Sequence, residues 1–281
     1  MINYYLIMRT SIISLLVATV FAQEQVNGGA DTSDSRRNFA EICAENGFSY
    51  EEHTVQTEDG YILTQFRIPG LIGDTATGKP PVFFQHGLLD SANCWIMNYG
   101  DVAPAFVAAR AGYDVWLGNS RGNTYSCKHV KYDPWRNEAK FWDFDWMDMG
   151  QYDIPASLDY ITSLTGQPKV AYVGHSQGTT QMFTGLANYE SYYKNKVSVF
   201  VALAPVTMLP NTQTELFRIA SDLYDEIDDT LNLLNIHSVL NNTWYTSATT
   251  KLFCNAIPSM CLALEKLFVS SDPEYDDQDR F

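Results

Sequence analysis

The ten residues from Lys169 to Gly178, KVAYVGHSQG, constrain the fold of this chain more than any other stretch. They read as a buried strand, a sharp turn and a helix start in immediate succession. Val170 to Val173 form the β-branched and aromatic run of a short strand, and Gly178-Thr179-Thr180 opens a segment with helical spacing. Between them Gly174-His175-Ser176-Gln177-Gly178 fits G-x-S-x-G, in which a serine occupies a strained strand-to-helix turn with its hydroxyl exposed above a sheet. A turn that tight brings the new helix against the strand, so side chains two positions either side of the serine would collide, and glycine is required there. Alone, the pattern also fits a glycine-rich turn with a solvated serine. The strand before it and the helix after it favour chemistry.

The rest of the chain alternates in the same way. Residues 53–57 and 61–68 are strand-like runs joined by Asp59-Gly60, a two-residue hairpin signal. A buried strand is expected over 81–85, a helix over 102–111, a strand over 113–117, a helix over 154–164 and a strand over 197–203. Strands alternating with helices predict an α/β protein with a mostly parallel sheet and helices on both faces. A content of 46% hydrophobic residues is enough for a large core, while the formal net charge of −15 argues against nucleic acid and against an anionic membrane surface as partners. No C-x-x-C, H-E-x-x-H or phosphate-binding glycine loop occurs, so no cofactor or metal is implied.

Residues 1–22 read as a secretory signal peptide, with Arg9 at the positive end, an apolar run over 12–21 and small residues before Gln23. Residues 23–42 are expected to be a mobile leader. Five cysteines behind a signal segment predict at least one disulfide, with Cys254 and Cys261 the favoured pair. Asn241-Asn242-Thr243 is a glycosylation acceptor, which makes the chain a candidate glycoprotein.

A second chemical feature follows the strand at 81–85. Acyl transfer through a serine needs donors aimed at the developing oxyanion: the amide after the nucleophile and one from the loop after an earlier strand. In His86-Gly87-Leu88 and Gln177 the Leu88 and Gln177 amides fit those roles.

Four stretches taken together resemble the acid lipase family, which includes gastric and lysosomal acid lipases. They are Gln85-His86-Gly87-Leu88-Leu89-Asp90-Ser91, the run GYDVWLGNSRGNT from Gly112 to Thr124, Tyr152-Asp153-Ile154-Pro155-Ala156, and Val173-Gly174-His175-Ser176-Gln177-Gly178-Thr179-Thr180. Thr57-Glu58-Asp59-Gly60-Tyr61-Ile62-Leu63 resembles that family's N-terminal hairpin. The resemblance implies an α/β-hydrolase core over 43–205 and a partial helical cap over 206–281. It implies Ser176 as nucleophile, with Leu88 and Gln177 as oxyanion donors. The substrates would be lipid esters, triacylglycerol or sterol ester, met at a lipid–water interface, in a secreted protein or in a lysosomal or vacuolar lumen. It makes Asp143, Asp145 and Asp148 a loop and helix start packed by aromatics rather than a metal site.

The chain departs from the family pattern after Ser176. The fold orders its triad as Ser, then Asp or Glu, then His, and only 105 residues follow the serine. No triad Asp or His is recognisable in them, and the last strands of the core are missing, so the expectation is a C-terminally incomplete copy. Helix-like spacing over 216–223, 227–234 and 250–268 reads as cap. His237 is the only later histidine and reads as an ordinary helix or loop residue. His86 and His175 flank the serine, the first in the oxyanion loop and the second pointing away. Two other readings stay open: a non-catalytic, lipase-like protein that binds lipid, and an esterase with His237 as an unusual base.

Overall fold

A computed structural model of the chain describes residues 37–212, 214–234 and 236–238. Residues 37–209 form one compact unit, and the described residues from 210 onward belong to a second. In the first unit six strands make a single sheet: β1 (Glu51–Gln56), β2 (Ile62–Ile68), β3 (Pro81–Gln85), β4 (Asp114–Leu117), β5 (Val170–His175) and β6 (Val197–Leu203). Their spatial order is β1-β2-β4-β3-β5-β6. The β1-β2 and β2-β4 pairs are antiparallel, and β4-β3-β5-β6 run parallel.

Period-two alternation explains how both faces are covered. Val82, Phe84, Val115 and Leu117 point into one core with Phe66, Ile68, Trp95 and Phe106. Phe83 and Trp116, the residues between them, point into the other with Leu158, Ile161, Tyr172 and Met182. Helix α1 (Phe39–Glu45) and α2 (Pro104–Arg110) bury residues in the first core. Helix α3 (Ile154–Thr165) and α4 (Gln177–Lys196) cover the second. Helix α3 ends where Gly166 turns left-handed at φ +70, the geometry glycine adopts without a Cβ clash. In the second unit two helices are described, α5 (Glu215–Asp222) and α6 (Tyr224–Leu233), close to the expected 216–223 and 227–234.

Two expectations need correction. The leader assigned to 23–42 overlaps α1, whose Phe39, Ile42 and Cys43 are buried and whose start is fixed by a capping box between Asn38 and Glu41. Three buried residues at helical spacing make these positions part of the core. The hairpin turn is also longer than two residues. Thr57 N–H donates to Tyr61 O at 2.9 Å, which leaves Glu58, Asp59 and Gly60 as the loop, with Gly60 at φ +108. Residues 1–36, the 250–268 helix, Cys254, Cys261 and the Asn241 acceptor lie outside the described residues. Cys43, Cys94 and Cys127 are free thiols.

Candidate active site

The register of β3 against β5 sets Gln85 beside Gly174, so the loops leaving these two strands start side by side at the carboxyl ends of neighbouring parallel strands. Ligands in open α/β sheets bind there. Ser176 sits at φ +50, ψ −115 between β5 and α4, a backbone conformation that L residues avoid. The surroundings hold it in place: its amide donates to Leu203 O on β6 at 3.0 Å, and its carbonyl accepts from Thr179 N–H at 2.9 Å. The flanking glycines are sterically required. A Cβ on Gly174 would lie 2.8 Å from the Gly178 backbone, and one on Gly178 would lie 2.4 Å from Gln85 O. The helix therefore packs directly on the ends of β5 and β3.

The loop after β3 comes up to the serine. A Cβ on Gly87 would sit 3.3 Å from Ser176 Cβ and 3.2 Å from His175 Nδ1. Leu88 follows with its side chain nearly half exposed, and Leu89 turns left-handed at φ +61. Gln177 opens α4, so its amide is one of the first-turn donors that a helix leaves without an internal acceptor, at the positive end of the dipole. The sequence-assigned Ser176, Gln177 and Leu88 thus lie in two segments in contact. Among the described residues Ser176 Oγ has no histidine or carboxylate bonded to it. His175 is exposed and meets Trp95 edge-on at 6.4 Å. His237, half-buried after α6, belongs to the other compact unit.

Behind the loop after β3 lies a buried polar layer that sequence reasoning did not find. Ser120 accepts from Gln85 Nε2 at 2.8 Å and from Gln181 Nε2 at 3.0 Å, linking β3, the loop after β4, and α4. Arg121, almost fully buried, donates to Asp153 at 2.8 Å and to Asp59 at 2.6 Å, and stacks over Tyr61 at 4.0 Å. Burial pulls the Asp153 carboxyl up to about 6 against the opposing charge of Arg121. The signal was present in the Gly118–Thr124 run, whose polar residues interrupt an apolar context without the pattern of any catalytic motif. Trp95 and Ile96 are core residues, whereas Met97 and Tyr99 are exposed. Asp145 and Asp148 form a capping box at the short helix Trp146–Asp148, which accounts for that acidic cluster.

Comparison with known proteins agrees with this geometry. The chain matches the family model described as alpha/beta hydrolase fold over residues 80–260, and the partial alpha/beta-hydrolase lipase region over 39–99. It is 41% identical over 210 residues to lipase member K of Homo sapiens, covering 74% of this chain and 51% of that protein. With gastric triacylglycerol lipase of Rattus norvegicus it shares 44% identity over 194 residues, 68% of this chain and 48% of the relative. Lipase lipl-5 of Caenorhabditis elegans is 35% identical over 269 residues, 94% and 66% respectively. The chain thus spans about half the length of the first two relatives. With the lipase-region match running through the hairpin and the loop after β3, and the hydrolase match through the serine turn, the chain belongs to the acid lipase family of α/β-hydrolases.

Proposed function

We propose that this chain supplies the nucleophile and oxyanion loop of a serine lipase that cleaves lipid esters, triacylglycerol or sterol ester, through an acyl-enzyme. The observation that carries the reading is the strained Ser176 turn, held between Gly174 and Gly178 and abutting Gly87. Strain of this kind persists only where surrounding structure over-determines it, and it clusters at sites of chemistry. In the mechanism, Ser176 Oγ attacks the ester carbonyl as a base removes its proton, and the carbonyl oxygen becomes an oxyanion facing the Leu88 and Gln177 amides. Collapse expels the alcohol and leaves the acyl group on Ser176, and water then attacks that ester by the same route. The exposed Leu88 and Leu89, which follow the Gly87 that abuts the serine, fit a substrate met at a lipid–water interface. We place the protein in a secreted or lysosomal or vacuolar setting on the signal segment and the Asn241 acceptor.

The test is hydrolysis of emulsified triacylglycerol and sterol ester by the protein at its natural length. Replacing Ser176 with Ala is expected to lower turnover by ~10⁴-fold or more, and turnover that survives the change would sink the reading. One observation favours the lipid-binding alternative: among the described residues nothing accepts the Ser176 proton. Lipid binding without any turnover in either protein would select it.

A further inference from the structure

His86 follows β3, is 3% exposed, and takes no part in the steps above. Its hydrogen bonds fix where its proton sits. The Ser120 amide donates to Nε2 at 3.1 Å, and a backbone N–H can only donate. Asn123 Nδ2 lies 3.2 Å from the same nitrogen. That amide cannot be reversed, because Asn123 Oδ1 accepts from the Tyr125 and Ser126 amides, both at 3.0 Å, and its Nδ2 donates to Asn119 Oδ1 at 2.9 Å. Nε2 therefore faces two donors and is bare. The proton is on Nδ1, which donates to Gly87 O at 2.7 Å. In a planar trans peptide the C=O and the following N–H point in opposite directions. A ring that holds the Gly87 oxygen turns the Leu88 amide the other way, from a residue that abuts Ser176.

We propose that His86 is a positioning residue: its neutral Nδ1–H tautomer, locked by Ser120 and Asn123, aims the Gly87–Leu88 peptide as an oxyanion donor. The proposal rests on the lipase reading and deepens it. Protonating the ring would place an N–H at Nε2 against two other donors. The charged groups facing it are Asp90, which favours protonation, and His175, which opposes it. Burial is the largest effect and lowers the ring's pKa below the usual histidine value, which favours the neutral ring.

Two variants separate the two bonds. In His86→Gln the amide reaches the Nε2 position and can accept from Ser120, with nothing left to donate to Gly87. In His86→Asn the amide sits at the Nδ1 position and keeps that donor. With the protein at its natural length, the Gln variant is expected to lose kcat by ~10²-fold, the scale of one oxyanion donor, with KM little changed. The Asn variant is expected to recover most of that loss. Imidazole nitrogen NMR near neutral pH should show His86 protonated at Nδ1 and bare at Nε2. A Gln variant with wild-type kcat, equal losses in both variants, or a spectrum with Nε2 protonated would overturn the proposal. Should the wild type cleave no ester, the lipase reading fails by itself. The nitrogen spectrum, and a Leu88 amide resonance that moves in the Gln variant but not in the Asn variant, then decide the lock.

Discussion

Ser176 and Gly178 lie two residues apart in one strand-to-helix turn, and each limits what its neighbour can be. The carbonyl of Gln85 stands where a Gly178 Cβ would go. Gly178→Ala is therefore expected to cost at least about 1–3 kcal/mol, since backbone rather than a flexible side chain must move. Urea unfolding measures it, and an unchanged midpoint would show that the close approach is absent. Asp153 gives a prediction with a definite sign. Its folded pKa of about 6 lies above the ordinary carboxylate value of 3.8, so the stability it contributes is full below that ordinary value and is lost as pH rises through about 6. The deficit of Asp153→Asn relative to wild type should then be larger near pH 4.5 than near pH 7. The reverse order, expected for an ordinary ion-paired carboxylate, would contradict it. At this scale the serine and its glycines were legible because steric necessity writes them into a fixed spacing. Arg121, Asp153 and the bonds of His86 were not, because their partners come from distant segments whose pairing only the tertiary fold sets.

Helix α1 shows why element boundaries escape a sequence reading. Its seven residues are too few to form a helix alone. The polar run before it resembles leader, yet Phe39 packs on Phe66 at 4.4 Å and on Tyr50 at 5.4 Å. Phe39→Ala is expected to destabilise by about 3–5 kcal/mol, and Asn38→Ala by ~1 kcal/mol through loss of the cap. Thermal unfolding unchanged in both would return these residues to the leader. The six strands, by contrast, were legible to within two residues at their ends, because each is a short β-branched or aromatic run set between turn signals. The hairpin turn was read one residue short, since Asp59-Gly60 fits two loop geometries. The choice falls to Thr57, whose amide pairs with Tyr61 O and whose hydroxyl accepts from the Tyr61 amide at 2.8 Å.

For the molecule as a whole, the sheet order follows from one rule applied repeatedly. Each crossover between parallel strands is right-handed, so the face a helix covers follows the direction in which the chain moves across the sheet: α2, between β3 and β4, buries residues in one core, and α3 and α4, on the way from β4 to β5 and β6, bury residues in the other. That arrangement sets the serine turn and the loop after β3 at neighbouring strand ends, so the fold class and the meeting of these two segments were readable together. The identity of the base that serves Ser176 was not, because no motif after the serine marks it. The central claim is that Ser176 is an activated nucleophile. It is tested most directly by labelling the protein at its natural length with a fluorophosphonate and locating the adduct by peptide mass spectrometry. The account predicts a single adduct on Ser176 that disappears in Ser176→Ala. An intact, folded protein that takes up no label, or one labelled equally after the substitution, would contradict it.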